Sequence, residues 1–127
     1  MNVQEIEAIM KLLETYFEGN KEINAKKILS TWHKDAKIIS TEKFIGMEGW
    51  EEFEEYYMKK LNGDKTKWNI DFEIVSLDVF KGCAIVRVDV KYKVDKEVFG
   101  ETQFLNLLKD DKDWLIYSKI FKFYPLI

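Results

Sequence analysis

The stretch FLNLLKDDKDWLIYSKIF, Phe104 to Phe121, has two apolar runs separated by the polar segment Lys109–Asp113. This arrangement predicts two β-strands joined by a tight turn. A strand that covers a core on one face alternates apolar and polar residues. Here apolar residues occupy both odd and even positions of each strand: Phe104, Leu105, Leu107, Leu108, Trp114, Leu115, Ile116 and Tyr117. The hairpin therefore predicts two apolar surfaces, of which one covers a core.

The two strands that precede this hairpin also show strand periodicity. Trp68, Ile70, Phe72 and Ile74 alternate with polar residues, after which the apolar set shifts to Val75, Leu77 and Val79. One extra residue near Ile74–Val75 explains the shift, because a β-bulge places two residues opposite one. Lys81–Gly82 is a two-residue turn into a strand whose apolar face is Ala84, Val86, Val88, Val90, Tyr92 and Val94.

Helical periodicity dominates the first half of the chain. The first helix has an apolar face of Ile6, Ile9, Met10, Leu13, Tyr16 and Phe17, and Gly19–Asn20 is its predicted end. Asn24 is the predicted N-cap of a second helix with the face Ala25, Ile28, Leu29 and Trp32. A turn at His33–Asp35 leads into a short strand over residues 36–40. A third helix is predicted from about Met47 to Leu61.

This order of elements predicts an α+β fold in a single domain over residues 1–127. Three N-terminal helices are expected to pack on a curved, bulged antiparallel β-sheet. The bulge helps the sheet curl into a cone, and a cone closed by helices leaves a cavity.

Composition restricts the functional class. The chain is 46% hydrophobic and 34% charged, with 15% aromatic residues and a net charge of -3. An acidic chain with scattered lysines does not favour nucleic-acid binding, which needs a basic surface. No segment approaches the about 18 apolar residues of a membrane span, and the N-terminus lacks a signal-peptide layout, so a cytoplasmic protein is expected. The single His and single Cys predict no metal site, and no cofactor is expected.

The sequence resembles the nuclear transport factor 2-like superfamily over nearly its whole length. The similarity rests on YFEGN (16–20), ILSTWHKDAKI (28–38), FIGMEGWEEF (44–53) and the closing hairpin. Within the superfamily it is most similar to the proteins labelled putative lumazine-binding or polyketide-cyclase-like. Lys34 replaces the usual Pro of the motif, and Asp111–Lys112 replaces the common Asp-Gly turn. The resemblance implies a cystatin-like cone that serves isomerases, dehydratases, cyclases, epoxide hydrolases and non-catalytic binders alike.

The register of the last hairpin decides which residues face the cone. A two-residue loop pairs Leu107 with Ile116, whereas a bulged loop pairs Asn106 with Ile116 and exchanges the faces. The family pattern and the Trp114–Ile116 segment favour the bulged loop. This register turns Phe104, Asn106, Trp114, Ile116 and Ser118 inward. It leaves an outer surface for a homodimer made by Leu105, Leu107, Leu115, Tyr117 and Phe121.

A small apolar or aromatic ligand in the cone is the leading functional hypothesis. Tyr and Trp offer a ring for stacking and a polar group that needs a partner when buried. The expected ligand-binding residues are Tyr16, Trp32, Trp50, Tyr57, Trp68 and Tyr92, with Asn106 and Ser118 as polar contacts. The alternative is that these aromatic residues fill the core and that the protein is a structural or interaction module acting through its dimer surface.

Catalysis is a second hypothesis, and whether the chain is an enzyme stays open. His33 and Asp35 are the catalytic candidates for chemistry of the polyketide-cyclase or ketosteroid-isomerase type, although both residues also suit a purely local role in a turn. Asp71, Glu73 and Asp89 are predicted to face outward, while the direction of Glu101 is open. The lone Arg87 is expected to pair with an acidic neighbour on the surface.

Overall fold

The computed structural model describes residues 3–22, 24–40, 47–48, 68–94 and 96–126. The described elements, in chain order, are α1 (Val3–Glu22), α2 (Ala25–Leu29), β1 (Trp32–Ser40), β2 (Met47–Glu48), β3 (Trp68–Phe80), β4 (Cys83–Val94), β5 (Glu97–Asp110) and β6 (Asp113–Pro125). The α+β class is confirmed. Neither described helix is long and apolar enough to cross a bilayer.

The two described helices follow the predicted periodicity, except that Met10 is exposed and Trp32 begins β1 instead of extending the face of α2. Ile9, Leu13 and Tyr16 of α1 are fully buried because their spacing places them on one helix face. The helix continues past Gly19, whose missing side chain lets Ile28 of α2 approach; a Cβ there would lie 3.0 Å from the Ile28 backbone nitrogen. The Asn24 cap is confirmed, since its side-chain oxygen accepts a hydrogen bond from the Lys27 amide at 3.1 Å.

The region between α2 and β3 differs from its prediction at two places. His33–Asp35 lies within β1 rather than in a turn, in the segment where the pairing of β1 with β6 shifts register. Met47–Glu48 forms β2, which pairs antiparallel with β1, so the predicted third helix does not begin at Met47. Its remaining residues, 49–61, lie outside the described residues.

The sheet has six strands in the order β2-β1-β6-β5-β4-β3. It is mixed rather than purely antiparallel as predicted, because β1 and β6, the second and third strands in this order, pair in parallel. Parallel neighbours need a long connection between them, and the segment from β2 to β5 provides it for β1 and β6. One face, here called the inner face, packs against α1 and α2, and the opposite face is called the outer face.

The predicted bulge in β3 is confirmed. Ile74 pairs with Val88 and Ser76 pairs with Arg87, which leaves Val75 as the extra residue. The apolar residues on either side of Val75 therefore share the inner face even though their sequence phase changes. The Lys81–Gly82 turn is also confirmed, and both residues have the positive φ angles, 41° and 81°, that a tight hairpin turn needs.

The preferred register of the last hairpin is wrong. Asp111–Lys112 forms a two-residue loop between the paired Asp110 and Asp113, and Leu107 pairs with Ile116. A bulge does occur, but within β6: Asn106 pairs with Ser118, so Tyr117 is the extra residue. The bulge expected in the loop therefore lies within β6 instead.

The corrected register exchanges the faces of the β5 residues and of Ser118, but not those of Trp114, Leu115 and Ile116. Leu105 and Leu107 are 0% and 1% exposed on the inner face, so they cannot form a dimer surface. Phe104 is 45% exposed, and Asn106 and Ser118 lie beside it on the outer face. Trp114 and Ile116 face inward as predicted, whereas Phe121 also packs against the core. Of the predicted dimer residues, Leu115 alternates with the buried Trp114 and Ile116 and so keeps its outer position.

Candidate functional site

Three polar side chains lie on the inner face of the sheet among apolar residues. Glu101 and Gln103 of β5 are each 1% exposed, and Lys119 of β6 is 7% exposed. Strand alternation places Glu101 and Gln103 on the same face as the buried Leu105. The β6 bulge at Tyr117 brings Lys119 to this face, where it pairs with Leu105. Such groups are costly to bury unless they have partners.

A chain of hydrogen bonds connects these residues to two tyrosines. The Tyr16 hydroxyl donates to Gln103 Oε1 at 2.9 Å, and Gln103 Nε2 donates to Glu101 Oε1 at 2.7 Å. The Tyr92 hydroxyl donates to the same Glu101 oxygen at 2.7 Å. A carboxylate oxygen accepts hydrogen bonds, so Glu101 orients the Gln103 amide and the Tyr92 phenol, and Gln103 in turn orients the Tyr16 phenol. The four residues Tyr16, Gln103, Glu101 and Tyr92, together with Lys119, are called the inner polar network below.

The second Glu101 oxygen faces the ammonium group of Lys119. The distance from Lys119 Nζ to Glu101 Oε2 is 3.8 Å, which is an ion pair but longer than a hydrogen bond. Lys119 Nζ also lies 5.0 Å from the centroid of the Phe121 ring, within range of a cation–π contact. A carboxylate and an ammonium are thus held close together in an apolar environment, where their attraction is little screened.

Burial determines the protonation of Tyr16. Its pKa is raised well above the usual value because the hydroxyl is desolvated, and the negative charge of Glu101 raises the pKa further. The hydrogen bond with Gln103 acts in the opposite direction. Tyr16 therefore remains a neutral hydrogen-bond donor at neutral pH.

Aromatic rings flank the network at both ends. Near Tyr16, the edge of the Trp32 ring packs at a centroid distance of 6.0 Å, and Phe17 and Phe72 stack at 4.3 Å. Near Tyr92, the Phe99 ring stacks at 4.9 Å. The inner face therefore combines flat apolar surfaces with one localised set of donors and acceptors, as small-molecule sites commonly do.

The structure brings some of the predicted ligand-binding residues together and separates others. Tyr16 and Tyr92 belong to the inner polar network, and Trp32 packs against Tyr16. Asn106 and Ser118 are on the outer face instead, where Asn106 Nδ2 donates to Ser118 Oγ at 2.7 Å. Trp50 and Tyr57 lie outside the described residues, as does the side chain of Trp68.

Sequence reasoning missed Gln103 and Lys119 and left the direction of Glu101 open. Glu101 and Gln103 continue the alternation of Leu105 and Leu107 toward the start of β5, so the correct hairpin register would have located both. Lys119 was hidden for a different reason. The bulge at Tyr117 shifts the phase of β6, and simple alternation from Ile116 places Lys119 on the wrong face.

The catalytic candidates lie away from the hydrogen bonds of the network. The His33 ring packs on Tyr117 with centroids 5.3 Å apart, and its Nδ1 accepts a hydrogen bond from the Asp35 backbone amide at 3.0 Å. Its Nε2 lies 3.9 Å from a carboxylate oxygen of Asp110 in the hairpin turn. The Asp35 side chain is 67% exposed. This geometry matches the local structural role that the sequence left open for both residues.

The expected Arg87 ion pair is confirmed on the outer face. Arg87 Nε and Nη2 each lie 3.3 Å from one oxygen of the Asp89 carboxylate. Thr102 donates to Asp89 at 2.9 Å and lies 3.2 Å from the Tyr124 hydroxyl. Within the described ranges, no group of three or more His, Cys, Asp or Glu side chains is placed to hold a metal ion.

Comparison with known proteins agrees with this architecture. The family described as "Putative lumazine-binding" matches residues 4–122. No curated protein matches the chain. An NTF2-like protein of unknown function from Shewanella baltica has a similar structure, with a TM-score of 0.81, 25% identity, and coverage of 99% of this chain and 98% of its own.

Two structures with lower sequence identity share the fold. A ketosteroid isomerase-like protein from Erwinia carotovora atroseptica has a TM-score of 0.79 at 13% identity, with 96% of this chain and 98% of that chain covered. A cystatin-like domain of unknown function from Nostoc punctiforme has a TM-score of 0.84 at 12% identity, with 100% and 82% covered. The chain belongs to the putative lumazine-binding family and has the NTF2-like, cystatin-like fold.

Proposed function

We propose that this NTF2-like protein binds a small aromatic molecule on the inner face of its sheet, at the inner polar network. The observation that carries this proposal is the buried Glu101–Lys119 pair beside two phenols. A buried ion pair adds little to stability, and well-packed apolar residues often serve as well or better. Its presence in an otherwise apolar sheet surface is therefore better explained by recognition of a ligand.

The spacing of the network indicates the chemistry of the ligand. Glu101 Oε2 is an acceptor and Lys119 Nζ is a donor, 3.8 Å apart, so the two groups suit a ligand edge that carries an N–H beside a carbonyl. The flanking aromatic rings suit the flat faces of such a molecule. A planar heterocycle with a lactam edge has both properties, and the lumazine of the family description is one example.

Binding can be tested by calorimetry and thermal shift with lumazine, a flavin and a fused-ring hydrocarbon that lacks polar edges. We expect the heterocycles to raise the melting temperature and the hydrocarbon to have a smaller effect. Tyr92→Phe removes one hydroxyl from the network and should weaken binding about tenfold, the usual effect of one lost hydrogen bond. Tyr124→Phe removes an outer-face hydroxyl and is the matched control. Equal affinities for the two variants, or no shift with any heterocycle, would contradict the proposal.

Proton transfer by Glu101 is a second candidate function. It is favoured by the position of a carboxylate on the inner face, beside groups that could polarise a carbonyl. The contacts of Glu101 favour the binding function over proton transfer. One of its oxygens accepts two hydrogen bonds and the other faces Lys119. Both oxygens of Glu101 therefore already have partners, and taking a proton from a ligand would require one of these contacts to be given up.

Deuterium exchange distinguishes the two functions. An enzyme of this type would exchange the α-protons of a bound ketone with solvent deuterium, as followed by NMR, and Glu101→Gln would abolish the exchange. Glu97→Gln alters an exposed residue of the same strand and should leave exchange unchanged. Binding without exchange would exclude the catalytic function and leave the binding function intact.

We also propose that the protein forms a homodimer through the outer face of the sheet. The support is the corrected set of exposed apolar residues: Ile85 is 55% exposed, Phe104 45%, Leu108 39% and Ile120 39%. Monomeric proteins seldom expose a contiguous apolar patch of this kind. Sedimentation equilibrium of the wild type should give twice the mass of one chain, and a monomer at micromolar concentration would contradict the proposal.

A further inference from the structure

We propose that the hydrogen-bonded pair Asn106–Ser118 lies at the two-fold axis of this homodimer and sets how the two copies align. This inference rests on the proposed homodimer and adds the position of its axis. Each pair would complete the hydrogen bonds of its symmetry mate. The polar residues predicted from sequence to contact a ligand would thus recognise a second copy of the chain.

The surroundings of the pair place it in the middle of the apolar patch. Asn106 pairs with Ile85 on one neighbouring strand and with Ser118 on the other. Along β5 the next outer-face residues on its two sides are Phe104 and Leu108. Along β6, Leu115 and Ile120 occupy the corresponding positions beside Ser118. Apolar side chains therefore flank the Asn106–Ser118 pair along β4, β5 and β6, while on β1 the exposed Lys37 pairs with Ser118.

The hydrogen bond within the pair uses only part of its capacity. Asn106 Nδ2 donates one N–H to Ser118 Oγ. A carboxamide has a second N–H and a carbonyl oxygen, and the serine hydroxyl has its own proton to donate. Any partner that covers this patch removes water from these groups. They must then find new hydrogen-bond partners, because a buried group without one costs about 1–3 kcal/mol.

A second copy supplies partners that are complementary by construction. Across a two-fold axis the same donors and acceptors meet themselves in reverse order, so the Asn106 oxygen of one chain can accept from the other chain. The hydrocarbon region of a lipid surface would bury the pair without offering these groups. The net charge of -3 also disfavours an anionic membrane. The Arg87–Asp89 ion pair adjoins the patch on the same face, with Arg87 opposite Phe104, and gives it a polar border of the kind found at interface rims.

The experiment separates the existence of the interface from the position of its axis. Sedimentation equilibrium gives the dissociation constant of the dimer for each variant. Leu108→Glu tests the interface, and Met10→Glu, at a residue of similar exposure on α1, is its control. Asn106→Asp tests the axis with a nearly isosteric change, and Asn69→Asp makes the same change at an exposed position of β3.

We expect Leu108→Glu to be monomeric and Met10→Glu to remain dimeric. Asn106→Asp should raise the dissociation constant about 100-fold at pH 8, because two carboxylates would face each other across the axis, and part of the loss should be recovered at pH 5. Asn69→Asp should change little. If Leu108→Glu dissociates the dimer but Asn106→Asp behaves like Asn69→Asp, the interface stands and the axis is elsewhere. A monomeric wild type, or a dimer that survives Leu108→Glu, overturns both proposals.

Discussion

Two polar groups of strand β5 lie three residues apart and on opposite faces of the sheet. Gln103 on the inner face is 1% exposed and bonds to both Tyr16 and Glu101. Asn106 on the outer face is half-buried and bonds to Ser118. The two side chains have the same carboxamide, so the difference lies in their surroundings. The inner amide is satisfied by its own chain, whereas the outer amide keeps capacity for another molecule.

This difference predicts separate roles for the two faces. Substitutions in the inner polar network should reduce the stability of the monomer, because they leave buried groups without partners. Substitutions at the Asn106–Ser118 pair should change association and leave the monomer nearly as stable. The predictions below test this contrast in order of decreasing expected effect on stability.

The largest effect is expected for Lys119→Met. The substitution removes the ammonium beside Glu101 and leaves a buried carboxylate without its charge partner, at a cost of about 3–5 kcal/mol in the free energy of unfolding. Lys122→Met alters an exposed lysine of the same strand and should cost less than about 0.5 kcal/mol. Urea unfolding of both variants gives the comparison.

A double variant then tests whether the charge is the cause. Combining Lys119→Met with Glu101→Met removes both charges and should recover part of the lost stability, because two buried apolar side chains replace an unpaired charge. If the two losses add instead, the side chains act independently, and the ion pair does not explain the cost of Lys119→Met.

Gly100→Ala should have the next largest effect, although it lies outside the network. A Cβ at Gly100 would overlap the ring of Tyr124, approaching its Cζ to 2.7 Å, so the ring must move. Overpacking of this kind costs about 1–3 kcal/mol in the free energy of unfolding. Adding Tyr124→Ala makes room for the methyl group, so Gly100→Ala should cost less in that background. Equal costs in the two backgrounds, measured by urea unfolding, would show that the ring is not the obstacle.

The fold could be predicted from the sequence more completely than the site. Periodicity correctly located α1, the Asn24 cap and the β3 bulge, because each is a local pattern of apolar residues or a local hydrogen bond. The site depended on the phase of one strand. The β6 bulge sits at Tyr117, an apolar residue between apolar neighbours, so no polar residue in the sequence marks it.

One misplaced bulge changed the faces of Phe104, Leu105, Asn106, Leu107 and Ser118, whereas Trp114, Leu115 and Ile116 kept theirs. With the bulge in the loop, Asn106 and Ser118 were expected to contact a ligand and Leu105 to contact a second chain. With the bulge at Tyr117, Asn106 and Ser118 lie on the outer face, Leu105 lies on the inner face, and Lys119 turns inward. The parallel pairing of β1 with β6 could not be predicted either. It joins residues more than 80 positions apart, and no local sequence pattern indicates it.

Tyr16→Phe should have an intermediate effect that depends on pH. At pH 8 the variant loses the hydrogen bond to Gln103 and leaves a buried amide oxygen without its partner, which costs about 1–2 kcal/mol. The raised pKa of Tyr16 means that the unfolded chain releases this proton at lower pH than the folded one. Wild-type stability should therefore fall as the pH rises above about 10, the ordinary pKa of tyrosine.

The variant has no hydroxyl at this position, so its stability should fall less between pH 8 and pH 11. The free energies of the two proteins should converge over this range in urea unfolding, even though wild type is more stable at pH 8. Tyr124→Phe controls for other alkaline effects and should follow the wild-type slope. Parallel slopes for wild type and Tyr16→Phe would contradict the proposed burial of the Tyr16 hydroxyl.

The smallest effect on stability is expected for Asn106→Ala, measured in the Leu108→Glu background so that only the monomer contributes. The pair is partly exposed, and water can replace the hydrogen bond between Asn106 and Ser118, so the loss should be within about 0.5 kcal/mol. Gln103→Ala in the same background should cost about 1–3 kcal/mol or more, because it leaves Tyr16 and Glu101 buried with fewer partners. Similar losses for the two amides would mean that the outer pair also stabilises the monomer, and the division of roles between the faces would fail. A clear gap would leave association as the remaining reason for a polar pair in the middle of an apolar patch.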